Sequence, residues 1–325
     1  MINSALVLLL AASLDYLIAD PWDWPHPVRV MGWLISRLTH FTLASGKSSL
    51  FRRGAGILLG IILIIGSATQ GWLILQLAYR VHPLLGIVLE VVLLASCFAG
   101  RSLHKAAIDV LEPLKAGQLT QARSRLSQYV GRDTEKLNEP EILRAVLETV
   151  AENATDGVMA PLFYAIVGAF LPWCGSLPLA LAYKAASTLD SMIGYQREPY
   201  TDLGWFSAKL EDILTWLPCR LTVITLALLS AKPQQVWHLC RRDAHLDPSP
   251  NSGWSECAYA AILGVQLGGT NWYQGIAKIK PLLGNPISPI TTAAIEQALS
   301  LTRYCFLAWL MGAIAFLSLN PRFLV

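Results

Sequence analysis

Six long apolar runs punctuate the chain, at residues 2–19, 55–79, 83–99, 158–183, 213–230 and 304–319. About 20 apolar residues cross a bilayer as helix, so the pattern predicts a membrane protein. Ile2–Ala19 is apolar apart from Asn3, Ser4, Ser13, Asp15 and Tyr16. It lacks a basic leader region, so it reads as a first membrane helix rather than a cleaved signal. Asp15 near its end is either a functional intramembrane acid or an interfacial one. Residues 55–79 and 83–99 are joined by Arg80–His82 and predict a membrane hairpin. The run at 158–183 is interrupted by P-W-C-G-S-L-P at 172–178. Each half falls short of a crossing, so a hairpin or re-entrant helix pair is preferred to one span. Residues 213–230 contain Pro218 and Arg220, which makes them a poor span and leaves open whether they cross. Tyr304–Leu319 closes the set.

Between these runs the chain is polar. In D-P-W-D-W-P-H-P-V-R at 20–29, three prolines exclude a helix and the tryptophans suit the headgroup region. His26 reads equally as part of an interfacial anchor or as a ligand contact. The stretch 29–53 carries Arg29, Arg37, Lys47, Arg52 and Arg53 and no acid, so it is expected on the cytoplasmic side. Within it, S-G-K-S-S at 45–49 imitates the end of a P-loop. Phe41 stands where the first glycine belongs, and no buried strand precedes it, so it is not read as a nucleotide motif. Over 101–148, Leu111, Leu114, Leu119, Ala122, Leu126 and Val130 recur at helical spacing, and N-E-P-E at 138–141 predicts a fresh helix start. That piece is too short to fold with a good core of its own. Residues 205–212 and 232–247 are polar, the latter with Arg241 and Arg242. D-P-S-P-N-S-G-W-S-E at 247–256 is turn-rich. Asn251, Ser252, Gly253 and the pair Gly268–Gly269 would either offer backbone N–H groups to an anion or form ordinary loops.

Composition agrees with the pattern. Of 325 residues, 54% are hydrophobic and 14% charged, against about 25% charged in soluble domains. Mean hydropathy is +0.46. A net charge of +3 without a basic tract excludes a nucleic-acid binder. Six cysteines stand without a C-x-x-C pair, which excludes a zinc ribbon and points to apolar filling in a reducing compartment. The expected fold class is therefore all-α. It is a polytopic integral membrane protein with a re-entrant or hairpin helix pair and cytoplasmic helical loops, a single membrane-embedded domain over 1–325.

The densest chemistry lies in E-T-V-A-E-N-A-T-D-G-V-M-A-P, Glu148 to Pro161. Glu148, Glu152 and Asp156 recur every four residues and share one helix face, with no basic i,i+4 partner counted within a turn. Gly157 is expected to break the helix, leaving acid at the mouth of an apolar segment. Such acid calls for a metal or a cationic ligand. The second stretch, Tyr183 to Tyr200, holds Lys184, Ser187, Asp190, Ser191, Arg197 and Glu198, and reads as the other half of the same site. A hairpin at 158–183 would bring the two together.

Four runs carry a resemblance: D-Y-L-I-A-D-P…H-P-V-R-V-M-G, E-N-A-T-D-G-V-M-A-P-L-F-Y, Y-K-A-A-S-T-L-D-S-M-I-G-Y and P-S-P-N-S-G-W-S-E…L-G-V-Q-L-G-G. Together, in this order, they resemble the adenosylcobinamide-phosphate synthase family of cobalamin biosynthesis (CobD/CbiB). The likeness covers nearly the whole chain. One departure is Asp247, where many members have His before P-S-P-N. The resemblance implies a multi-pass enzyme of the cell (inner) membrane with a cytoplasmic active site. It would be a carbon–nitrogen ligase joining adenosylcobyric acid to (R)-1-aminopropan-2-ol or its O-phosphate, driven by ATP with Mg²⁺. Its partners would be these small molecules and the lipid bilayer, without nucleic acid. A homo-oligomer, or a complex with other cobalamin-assembly enzymes, stays open.

Amide formation from a carboxylate needs activation, most simply as an acyl phosphate. That requires a divalent metal, cations for the phosphoryl group and a base. On residue type, Asp156, Glu152 and Asn153 suit Mg²⁺. Asp190, Glu152 and Lys184 are the catalytic candidates, Asp190 holding the ammonium or acting as base. Arg197, Ser187, Asn251, Ser252 and His26 are candidates for substrate or phosphate contact. The structural alternatives are that Asp190 favours a helix N-terminus and that Lys184 snorkels to the interface. Two other classes compete. A transporter would share the broken segment and the membrane acids, but no internal repeat is visible. A non-catalytic sensor of the same fold would not need Glu152, Asp156, Lys184, Asp190 and Asn251 together.

Overall fold

The computed structural model describes residues 4–18, 26–44, 48–171, 173–195 and 197–319. In chain order its helices are α1 (Ser4–Ile18), α2 (Pro27–Ala44), α3 (Ser49–Val81), α4 (Pro83–Ala95), α5 (Gly100–Lys115), α6 (Leu119–Leu126) and α7 (Glu139–Asn153). A π-helical turn, Ala154–Met159, leads into α8 (Ala160–Ala169), followed by α9 (Ser176–Ile193), α10 (Trp205–Leu229), α11 (Pro233–Asp243) and α12 (Ser252–Leu263). An antiparallel ribbon, β1 (Gln266–Tyr273) and β2 (Ile276–Gly284), precedes α13 (Thr292–Leu319). The described residues are thus helical apart from one ribbon, as the apolar periodicity requires. The chain clusters into two compact units, the first of residues 1–99, 160–215 and 308–325, the second of 100–159 and 216–307.

Among the described residues, four stretches are long and apolar enough to cross a membrane: Ser49–Val81, Trp205–Leu229, Thr292–Leu319, and Pro83–Lys115 taken through the turn that separates α4 from α5. Leu58, Ile62 and Ile65 on α3 are exposed, as lipid-facing side chains are. α1 is apolar but only 15 residues long. α10 resolves the doubtful segment at 213–230, because it continues through Pro218 as one helix of 25 residues. Proline removes the N–H that would have bonded the carbonyl four residues earlier. That carbonyl, Leu214 O, accepts the Tyr164 hydroxyl at 2.9 Å instead.

In the first unit, α9 packs on α3, α8, α2 and α4. The hairpin expected at 158–183 is present as α8 and α9, although Pro172 lies outside the described residues. Gly175 turns the chain at φ +84°, and a Cβ on Gly168 would lie 2.2 Å from Gly175 O, so the turn closes only over glycine. The basic stretch from Arg29 folds largely as α2, with Pro27 at its first position, where proline's missing N–H costs nothing. The exclusion of helix over 20–29 therefore fails at its end, and residues 20–25 lie outside the described residues. So do Ser45, Gly46 and Lys47 of the P-loop-like run. Of the rest, Ser48 caps α3 by accepting from Phe51 N at 3.5 Å.

In the second unit, Leu111, Leu114, Ala122 and Leu126 are buried, as their spacing predicts. N-E-P-E starts α7 with a capping box between Asn138 and Glu141. Gly157 does not break the helix; it sits inside the π-helical turn, and the chain runs on into α8. The ribbon was not expected. Its turn places Gln274 at φ 53° and Gly275 at φ 78°, the positive angles that a two-residue hairpin needs. Five of the six cysteines are buried and all six are free.

Candidate functional site

The second unit carries an interior cluster of charge. Glu148 on α7 is buried. Its Oε2 accepts from Arg132 at 2.6 Å, and its Oε1 accepts from Arg144 at 3.0 Å and from Gly268 N at 2.9 Å. Both guanidinium groups also donate to Asn271 Oδ1, at 2.8 and 3.0 Å. Arg144 stands four residues before Glu148, so the acidic face does have a basic i,i+4 partner, contrary to the sequence reading. Burial pushes the Glu148 carboxyl up, but the charges of Arg132, Arg144 and Lys280 and the Gly268 N–H outweigh it, holding it below the usual range. Gly268 thus offers its N–H to the protein's own carboxylate. It can do so because it lies at φ +90° in a bulge where a Cβ would strike Pro281 O at 1.9 Å.

One turn along α7, Glu152 is accessible to water although protein surrounds it densely, the condition of a side chain lining a recess. Among the described residues it makes no hydrogen bond or salt bridge. Burial raises its carboxyl, and Asp247 and Glu148 add to the rise against the opposing charge of Lys280. Glu256 on α12 is fully buried, and its Oε1 accepts from Lys280 Nζ on β2 at 2.5 Å. Asp247 Oδ2 lies 3.8 Å from the same ammonium. Burial pushes Glu256 up to about 8, helped by Glu148 and Glu152 and opposed by Lys280. Lys280 is depressed by burial, but its carboxylate neighbours outweigh that and raise it, so it stays charged. Asp247 Oδ2 and Glu256 Oε2 are buried without a hydrogen-bond partner.

The loop before α12 is wound around Asp247. Its Oδ1 accepts from Ser249 N at 2.9 Å and from Ser252 Oγ at 3.0 Å. Ser249 Oγ in turn accepts the N–H groups of Asn251 and Ser252, both at 3.2 Å, so these candidate anion donors are spent within the loop. Asn251 Oδ1 accepts from Arg220 at 3.1 Å, whose guanidinium lies over Trp216 and Trp254. Thr155 and Ser255 share a hydrogen bond of 2.9 Å, and Ser255 Oγ donates to Ala151 O at 2.5 Å. These bonds tie the run containing Glu152 and Asp156 to the run containing Asn251 and Glu256. Asp156 is half-buried in the π-helical turn. Asn153 is exposed, its amide donating back to Thr149 O at 2.9 Å. A pocket of about 950 Å³, lined among others by Arg123, Arg132, Lys136 and Trp272, adjoins the cluster through Arg132. No three His, Cys, Asp or Glu side chains among the described residues converge as a ready-made metal cage.

The first unit carries the other candidates. Lys184, Ser187 and Asp190 are half-buried on one face of α9, with exposed Ser191 beside them. Asp190 stands in the last turn of α9, which removes the reading that it favours a helix N-terminus. Its carboxylate fills the space over Gly194, where a Cβ would lie 1.9 Å from Oδ1. Arg197 is exposed, its guanidinium 5.0 Å from the Tyr195 ring. His26 serves the entry to α2, its Nδ1 accepting from Val28 N at 3.3 Å. Sequence reasoning missed a buried network in this unit. Tyr183 OH meets Thr215 Oγ1 at 2.8 Å and Glu211 Oε1 at 3.4 Å, and Thr215 donates to Glu211. It also passed over Arg132, Lys280 and the ion pair that Glu256 makes with Lys280. Glu256 lay within a quoted run, and Arg144 was visible at helical spacing, whereas Lys280 sits on a strand that was not foreseen.

The CobD/Cbib protein family matches residues 8–302. The cobalamin biosynthesis protein CobD of Synechocystis sp. is 58% identical over 297 residues, 91% of this chain and 87% of that protein. The protein of the same name from Halalkalibacterium halodurans is 41% identical over 306 residues, 93% of this chain and 92% of that one. The cobalamin biosynthesis protein CbiB of Salmonella arizonae is 40% identical over 296 residues, 90% and 91% of the two chains. No solved structure matches.

Proposed function

The chain belongs to the CobD/CbiB family of cobalamin biosynthesis proteins, and from that premise we propose that it is a carbon–nitrogen ligase. In this reading it joins the free carboxyl of adenosylcobyric acid to (R)-1-aminopropan-2-ol or its O-phosphate, at the expense of ATP. The observation that carries the reading is the convergence in the second unit. Glu152 from one run that carries the family resemblance, Asp247 and Glu256 from another about 100 residues later, and Lys280 from the ribbon meet in one cluster. Interior charge of this density is expensive to fold and is kept where chemistry uses it.

The residues fit Mg²⁺ of a particular kind. Such an ion takes one or two carboxylates and completes its shell with phosphates and water. Glu152, accessible and without a salt bridge, and Asp156, one turn on, would hold it. When bound, it neutralises the phosphate oxygens of ATP. In the first unit, Lys184 and Arg197 are by residue type suited to phosphate contact and Asp190 to a base. The pocket beside Arg132 has the size for a large substrate.

The test is to incubate purified protein with adenosylcobyric acid, ATP, Mg²⁺ and aminopropanol phosphate and to weigh the corrinoid. The amide product is expected, and its absence overturns the reading. Asp156→Asn should fold and insert yet lose turnover by roughly 100-fold or more. Near wild-type turnover with unchanged Mg²⁺ dependence would show that this acid is structural. We place the active site on the cytoplasmic side of the cell membrane, because α2 and its flank carry only basic charge. A single Cys at exposed His40 should resist an impermeant thiol reagent on intact cells; efficient labelling reverses the orientation.

A further inference from the structure

We infer that Asp247 Oδ2 and Glu256 Oε2 form the binding site for the primary ammonium group of the amine substrate, a place that rests on the amide-ligation reading above. The argument begins with a count of charge. Four carboxylates, Glu148, Glu152, Asp247 and Glu256, face three cations, Arg132, Arg144 and Lys280. Four against three leaves the cluster one positive charge short once all four are ionised, and without a further cation burial keeps the proton on Glu256.

The geometry says where the deficit lies. Arg132 and Arg144 donate their hydrogen bonds to Glu148, Asn271 and ribbon carbonyls, so they give none to Asp247 or Glu256. Lys280 donates to Glu256 Oε1 and reaches Asp247 Oδ2 only at 3.8 Å, beyond hydrogen-bond distance. The two oxygens left over, Asp247 Oδ2 and Glu256 Oε2, are both buried and both without a donor. A buried carboxylate oxygen without a donor is rare in folded proteins. What the site lacks is therefore both a positive charge and N–H donors. A primary ammonium supplies one charge and three donors. Lys280 shows that the Glu256 carboxyl accepts that chemical group through its other oxygen, Oε1. A resident divalent ion answers less well, since no three acids converge on one point among the described residues.

Binding is measured by calorimetry on the full-length protein in detergent, with (R)-1-aminopropan-2-ol as probe and neutral propane-1,2-diol as control. The wild type should bind the amine and not the diol. Glu256→Gln and Asp247→Asn should each weaken amine binding by roughly 10- to 100-fold, with the KM for ATP unchanged. Asp247→Asn keeps an oxygen for Ser249 and Ser252, and carries the test should Glu256→Gln not accumulate. Equal amine affinity in the variants, or a diol that binds as tightly as the amine, overturns the inference. The two readings fail separately. A wild type that makes the amide while the variants bind amine normally sinks the ammonium site alone. A wild type that binds amine through these oxygens but forms no amide sinks the ligase reading alone.

Discussion

The two units treat charge in opposite ways. In the second, the buried acids of the cluster are held by donors: Glu148 by two guanidinium groups and a backbone N–H, Glu256 by Lys280, Asp247 by its own loop. In the first, the polar face of α9 leaves Lys184, Ser187 and Asp190 half-buried, and the deep polar contacts are made by hydroxyls around Glu211. The difference follows from cost. A carboxylate taken out of water must be matched by charge and donors, and helices alone cannot supply both from one direction. The second unit meets the need by bringing a β-ribbon, which carries Lys280, Asn271 and the Gly268 N–H, against α7 and α12. Among its described residues the first unit has no such insertion; hydroxyls meet buried Glu211, and Lys184 and Asp190 stay half-buried.

The largest test of this contrast compares two lysines. Lys280→Ala leaves buried carboxylates without their cation and should cost about 3–5 kcal/mol of stability. Lys184→Ala should change stability by no more than about 1 kcal/mol while lowering turnover. Thermal unfolding of the two variants in detergent decides it. Equal destabilisation would mean that α9 carries a structural charge network as well, and the contrast would collapse.

A smaller effect sharpens it. The folded state holds the Glu256 proton up to about 8, against 4.5 for an unperturbed carboxyl. The native protein therefore binds more protons than the unfolded chain between these values, and stability falls as pH rises through that window. The unfolding temperature of the wild type should drop by roughly several degrees between pH 5 and pH 8. Glu256→Gln should show a shallower decline. Identical profiles would place the titration elsewhere.

Much of the architecture was legible because it depends on short-range pattern. The hairpins at Arg80–His82 and at 172–178, the fresh start at Asn138 and the buried stripe of α5 and α6 each follow from periodicity or from turn chemistry. The errors share a cause. Pro218 and Gly157 were read as interruptions on local propensity, yet Tyr164 answers the carbonyl freed by proline and a π-helical turn absorbs Gly157. Arg144 was in plain view at i,i+4 and was overlooked. Trp272 to Lys280 alternates too weakly to announce a strand, and so Lys280 had no visible partner.

By itself the sequence determined the helical, membrane-crossing class, the places where polar residues interrupt it, and the runs that mark the family, because apolar length and residue order act locally. Which of those polar residues meet depends on long-range packing. Glu152, Asp247, Glu256 and Lys280 are separated by up to about 130 residues, and no spacing rule relates a π-helical junction to a bulged ribbon. Their meeting is set by the packing of α7, α12 and β2, and by glycines at 268 and 284 that leave no room for a Cβ.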